Sequence, residues 1–251
     1  MFNIIIKKSK VYVDCYTNNI NALEFFPIKA ADQFYPDWWK NLPKEHYVTD
    51  NNGLSVTRST MKSCNGFIDL YQQGFILPLW SDVVIETMAN GFRYNFAEGD
   101  HCEIGHHDYE QMSTEFNKHI HLKLASPWRI QEKTEVKFLF FQPTYNQVQT
   151  IFDWHVMPGV VDFKYQNATN VNVLAPRGRK FEIPAGHPMA HLVPITDKEI
   201  VIKTHFLDKT DLDKTKLFGT NYPFFRGSYR KMKKITQENE SSQCPMRKLF
   251  K

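Results

Sequence analysis

The chain has 251 residues, 42% of them hydrophobic and 14% aromatic, with a formal net charge of +4. That apolar content supplies a sizeable core for one large β domain or two small ones, and the charge gives no support to nucleic-acid binding over the whole surface. No apolar run approaches the roughly 20 residues of a membrane helix, and the start, MFNIIIKKSK, puts a short apolar run before its lysines, the reverse of a secretory leader.

The charge is also unevenly placed. Residues 229–251 hold seven Lys and Arg against Glu238 and Glu240, so this tail carries +5 and the body −1. A basic tail of this kind predicts an arm for an acidic partner, with nucleic acid admitted only there. Cys15, Cys64, Cys102 and Cys244 stand far apart without a C-x-x-C pair, which predicts reduced thiols and a cytoplasmic setting.

Short strands are expected at residues 4–6 and 11–15, and a short helix over 19–26 stopped by Pro27. Residues 34–40 read as a helical turn with Pro36 near its start and Pro43 beyond its end. Residues 49–53 read as polar loop. From Gly66 onward strand signals dominate. Residues 83–88 and 92–96 alternate apolar and polar positions around Asn90-Gly91, a two-residue hairpin signal. The polar, His-rich stretch 98–117 predicts a long loop, a common site wall. Further strands are expected from His119 through Leu124 and at 136–141, 160–165, 171–174, 180–183, 191–195 and 200–205.

Many short strands between Gly, Pro and Asn turns indicate a mainly β chain. The predicted architecture is a jelly-roll or cupin-like barrel with short N-terminal helical turns and a polar basic C-terminal tail. Residues 1–60 form a wrapping segment, 61–208 the barrel, and 209–251 the tail, partly helical or disordered. Trp38-Trp39, residues 75–80 and Pro127-Trp128 read as plugs of the barrel ends.

Three histidine groups are candidates for chemistry. His106-His107-Asp108 with Glu110 falls in the expected loop. His119 and His121 share one face of a strand, because side chains there repeat every two residues. His187 and His191 follow the turn Gly178-x5-Pro184-x-Gly186, which swings one strand into the next. His187 and His191 are the expected ligand-binding pair at the barrel mouth. His106, Asp108 and His191 are the candidate set for a divalent transition metal, as two histidines and a carboxylate would be. Each has a structural alternative: a solvated loop for 106–110, the wet face of an antiparallel strand for His119 and His121, and hydrogen-bonded, partly buried imidazoles for His187 and His191. No nucleophile elbow, P-loop or dinucleotide fingerprint occurs.

The Gly-x5-Pro-x-Gly turn resembles the second half of a cupin motif, although the histidine spacing departs from the cupin pattern. His106-x-Asp108 with a distal histidine resembles Fe(II)/2-oxoglutarate oxygenases, a resemblance that implies Lys198 or Lys203 as the holder of the cosubstrate carboxylate. Five blocks, FYPDWWKNLP, KSCNGFIDLYQQGFILPLWSD, LKLASPW, VDFKYQNATNVN and IPAGHPMAHLVPIT, together resemble an uncharacterised family found in tailed phages, especially T4-like phages of marine cyanobacteria, and in some bacteria. That resemblance implies a phage origin and expression in an infected cytoplasm. The expected roles are then a small-molecule or metal pocket in a cupin-like barrel, or a jelly-roll virion component or host-protein binder.

Overall fold

Alternation of apolar and polar positions builds most of the strands. The computed structural model describes residues 9–97, 103–108, 111, 113–147, 153–215, 233, 234 and 237. The strand expected at 4–6, together with Cys102, Glu110, Cys244 and most of the basic tail, lies outside these residues.

β1 (Lys10–Thr17) buries every second side chain and is followed by the short helix α1 (Ile20–Glu24). Asn19 starts that helix: its Oδ1 accepts the Ala22 amide at 2.9 Å, satisfying one of the free N–H groups of the first turn. β2 (Lys29–Ala30) and α2 (Asp37–Lys40) precede a hairpin of β3 (Glu45–Thr49) and β4 (Ser55–Ser59). Helix α3 (Asn65–Tyr71), in the region from Gly66 onward where strand signals dominate, leads into β5 (Phe75–Pro78). β6 (Val83–Met88) and β7 (Gly91–Phe96) form the expected hairpin. Met88 pairs with Gly91, so the two turn residues are Ala89-Asn90, one position earlier than the Asn-Gly signal suggests. Gly91 instead opens the second strand at φ +127°, a conformation that a side chain would strain.

The expected loop 98–117 contains the short strand β8 (Ile104–His107). The rest of the chain supplies β9 (His119–Glu132), β10 (Lys137–Phe141), β11 (His155–Val156), β12 (Gly159–Asp162), β13 (Ala168–Pro176), β14 (Lys180–Ile183), β15 (Pro188–Pro194), β16 (Glu199–Phe206) and the helix α4 (Lys209–Lys214).

One sheet runs β11-β13-β9-β1-β16, with β8 also on β9; a second runs β12-β10-β15-β5-β2. A third, β14-β6-β7, and the β3–β4 hairpin complete the set. Pairing is antiparallel except between β1 and β16, which run parallel and bring both ends of the sandwich chain together. A single buried cluster takes Val11, Val13, Leu122, Leu124, Val171 and Val173 from the first sheet. The same cluster takes Phe75, Leu77, Phe138 and Leu192 from the second, and Val83, Ile85, Phe181 and Ile183 from the third. The two large sheets therefore face each other across one core, capped by the small sheet. The molecule is mainly β. Among the described residues the sheet paths are open rather than closed on themselves, so the expected barrel is not formed by this pairing.

Segment 1–60 divides into parts with different roles. β1 is an interior strand of the large sheet, between β9 and β16, whereas the β3–β4 hairpin is exposed along nearly its whole length. Pro127, read as part of an end plug, lies inside β9. The β9–β13 register steps from Ala168↔Arg129 to Asn170↔Ala125, so three residues of β9 oppose one of β13. A bulge of this kind accommodates a proline because no ladder hydrogen bond is required of it.

β5 and β15 are buried on both faces. Leu77 and Ala190 face the sandwich core, while the next pair, Ile76 and His191, faces outward. That outward face is covered by α3 and an aromatic cluster: Tyr35 stacks on Trp39 and Tyr71, at ring separations of 4.4 and 4.9 Å, and Phe67 lies against all three. Trp38 and Trp39 thus pack a helix onto a sheet.

Candidate functional site

The outer face of the large sheet gathers the histidines. In β9 the core takes Ile120, Leu122 and Leu124, which sends His119, His121 and Lys123 to the opposite face. β8 pairs His107 with His121, and the two imidazoles lie 4.6 Å apart, tilted by 35°. On the other side His121 pairs with Leu174 of β13, which pairs in turn with His155 of β11. One cross-strand row thus reads His155, Leu174, His121, His107.

A cavity of about 300 Å³ opens at this end of the sheet, with His106, His107, Asp108, His119, His121 and Arg177 in its wall. His106 and His107 are neighbours in the chain on the short strand β8, and both line the cavity. His106 sits edge-on to Phe92, with ring centroids 5.8 Å apart, and its Nε2 lies 3.2 Å from Asp108 Oδ1. His107 Nδ1 lies 2.9 Å from Gln111 Oε1.

Arg177 ties the rim together. Its Nε donates to Asn117 O at 3.0 Å, its Nη1 to Ala89 O at 2.8 Å, and its backbone amide to Lys118 O at 3.0 Å. Next to it, Thr87 Oγ1 donates to Pro176 O at 2.7 Å and accepts the Arg179 amide at 3.0 Å. The β6–β7 turn, the start of β9 and the β13–β14 turn are therefore held as one frame around the cavity.

Several polar atoms in this region are buried without a protein partner: Nδ1 of His119, both ring nitrogens of His121, and Oδ1 of Asn172. A buried polar atom left unpaired costs about 1–3 kcal/mol, so a small turn of these imidazoles that brings the atoms to a polar group in the cavity would be stabilising. Burial, reinforced by neighbouring His107, pushes the His121 imidazole below its ordinary range. A second cavity of about 210 Å³ shares His121 and continues along β13 past Asn172 and Asn170 toward Met157 and Phe140.

The histidines after the Pro-Gly turn lie elsewhere. His191 is 1% exposed on the outward face of β15, between Tyr71 and Phe141, and its Nε2 meets Gln73 O at 2.8 Å. This is a hydrogen-bonded core histidine. His187 is 7% exposed at the end of the turn, with its backbone carbonyl accepting the Leu79 amide at 2.8 Å. Desolvation alone lowers its imidazole to about 4. Gly186 adopts φ +79° with the Phe26 ring close enough to crowd any side chain there.

Of the candidate metal set, His106 and Asp108 meet in the cavity while His191 belongs to the other sheet. Among the described residues no three His, Cys, Asp or Glu side chains are placed to hold one metal ion. Arg177 and Asn172 were not singled out from the sequence. The period-two pattern of β13 opposite the His-x-His of β9 is the signal that would have found Asn172; nothing local marks Arg177. No family model matches the chain, and no curated protein matches it.

Proposed function

We propose that this protein binds a small polar molecule in the cavity at His106, His107, His119 and His121. The observation that carries this reading is the set of buried, unpartnered nitrogens on His119 and His121 in the wall of a 300 Å³ space. Binding sites characteristically combine a rigid concave frame with a few convergent polar groups, and the Arg177 bracing supplies such a frame. No nucleophile with an adjacent general base lies in the wall among the described residues, so recognition is the reading that the geometry supports best. Thermal unfolding against a panel of small metabolites tests it. A compound that raises the melting temperature of the wild type and not of His121→Gln supports the site, and a panel without a hit sharing that dependence overturns it.

In the finer reading the two facing sheets are a jelly-roll-type relative of the cupins. The turn Gly178-x5-Pro184-x-Gly186, ordered with Gly178 and Gly186 at positive φ, supports it. The five sequence blocks carry the accompanying reading of a phage protein expressed in the host cytoplasm.

A second reading has its own observation. The β3–β4 hairpin leaves Tyr47 81% exposed and Leu54 65% exposed, as a contact arm of a virion or host-protein binder would. Mass spectrometry of purified particles against infected-cell lysate decides between them: a stoichiometric particle component favours the arm, and presence in lysate alone favours the soluble binder.

A further inference from the structure

Resting on the reading of the histidine cavity as a ligand site, we infer that its ligand carries a small oxyanion, a phosphate or carboxylate group. The wall is rich in groups that donate to an anion. Arg177 spends two of its N–H donors on the carbonyls of Asn117 and Ala89 and keeps its charge at the rim. Its guanidinium has five donors in all. A neutral imidazole presents one donor and a protonated one presents two, so His119 and His121 can turn N–H groups toward a bound oxygen. Ser113 adds a hydroxyl to the same wall.

Opposing charge is sparse among the described residues. Asp108 is the carboxylate they bring to the wall; it is 69% exposed and already faces His106 at 3.2 Å. Among the described residues the other charged or titratable groups nearby are Lys118 and Lys123, flanking the histidines in and beside β9, Glu115, exposed on the 3-10 turn at Thr114–Phe116, Glu103, exposed just before β8, and His155 at the far end of the cross-strand row. With the imidazoles neutral the wall has little net charge. An anion entering it is stabilised when a proton is taken up by His121, because the anion offsets the desolvation that otherwise keeps His121 neutral.

The sign of the pH dependence follows. Unliganded His121 holds its proton less tightly than an ordinary histidine, and the anion raises that hold, so binding takes up a proton. Affinity therefore rises as pH falls, by about tenfold per pH unit over the range where one proton is taken up.

The probes are sulfate, inorganic phosphate and malonate, titrated at pH 6.0 and pH 8.0 into the full chain and followed by imidazole nitrogen resonances. Sulfate keeps its charge across this range, so its pH dependence reports protons taken up by the protein. Saturable shifts of His119 and His121, at least tenfold tighter for sulfate at pH 6.0, are expected. Phosphate binding more tightly than malonate assigns a phosphate group, and the reverse assigns a carboxylate. His119→Gln and His121→Gln should each weaken binding at least fivefold; the wild-type resonances remain decisive if either variant fails to fold. Anion binding that shifts other histidines instead, or that tightens toward pH 8.0, overturns the inference. Uncharged probes, glucose and acetamide, separate the two levels. If they bind at His121 while the oxyanions do not, the anion fails and the cavity stands as a neutral-ligand site. If no probe binds, both fail. Zinc displacing the oxyanions with micromolar affinity would replace the inference with a metal site.

Discussion

Burial holds the His187 and His191 imidazoles below their ordinary range, His187 down to about 4. Each is neutral in the folded protein near neutral pH and binds a proton more readily once unfolded. Their contribution to stability is therefore complete above an ordinary histidine value of about 6.5 and is lost as pH falls below it. For His187 the loss continues until the folded value near 4 is reached, and its full extent is on the order of 3 kcal/mol. Denaturant unfolding of His187→Gln from pH 7 to pH 4 should show a shallower fall in stability than the wild type. Parallel curves would contradict the assignment.

The residue scale also separates what was legible. The buried, hydrogen-bonded alternative for His191 is visible in its apolar neighbours Met189, Leu192 and Val193. Its partner, Gln73 O, lies 118 residues away in sequence and can be known only after β5 and β15 pair. The placement of His106 beside Asp108 follows from adjacency alone. The meeting of His107 with His121 needs the β8–β9 register.

At the scale of elements, alternation reported buried faces well and strand pairing poorly. β6, β10 and β14 fall close to where period-two patterns put them, because one face is core and the other mostly solvent. α3 escaped notice because its apolar positions read equally well as strand, and its helical state is settled by packing of Phe67 and Tyr71 onto β15 and the aromatic cluster. The turn between α3 and β5 shows how tight that packing is. Gly74 lies at φ +70°, and a Cβ there would sit 1.9 Å from Leu192 O on β15. Gly74→Ala must push the helix from the sheet, and a loss above about 3 kcal/mol is expected in equilibrium unfolding. A loss under 1 kcal/mol would show that α3 is not held against β15 in this way.

At the scale of the molecule, part of the basic tail lies against the body. Lys233 Nζ is 3.3 Å from Asp162 Oδ2, and Asp162 has a side chain only 2% exposed at the end of β12. The same lysine lies 4.8 Å from the centre of the Tyr165 ring. Tyr165 in turn donates to Glu135, and together with Lys164 it draws that carboxyl below its ordinary range. A charge run in sequence announces a solvated arm; this lysine instead meets a buried carboxylate of the body. Lys233→Gln should lower stability by about 1–2 kcal/mol, since one partner of a mostly buried pair is removed. Unchanged unfolding would return the tail at this point to the role of a free arm.

The large sheet brings histidines from β8 and β9 to one cavity, which the β13–β14 turn closes through Arg177, and the account of function stands on that convergence. A titration of imidazole nitrogen resonances with sulfate at pH 6.0 tests it most directly. Saturable movement of His119 and His121, with His187 and His191 unmoved, is the predicted result. A spectrum in which His119 and His121 stay fixed for sulfate and for every other small molecule offered would contradict it.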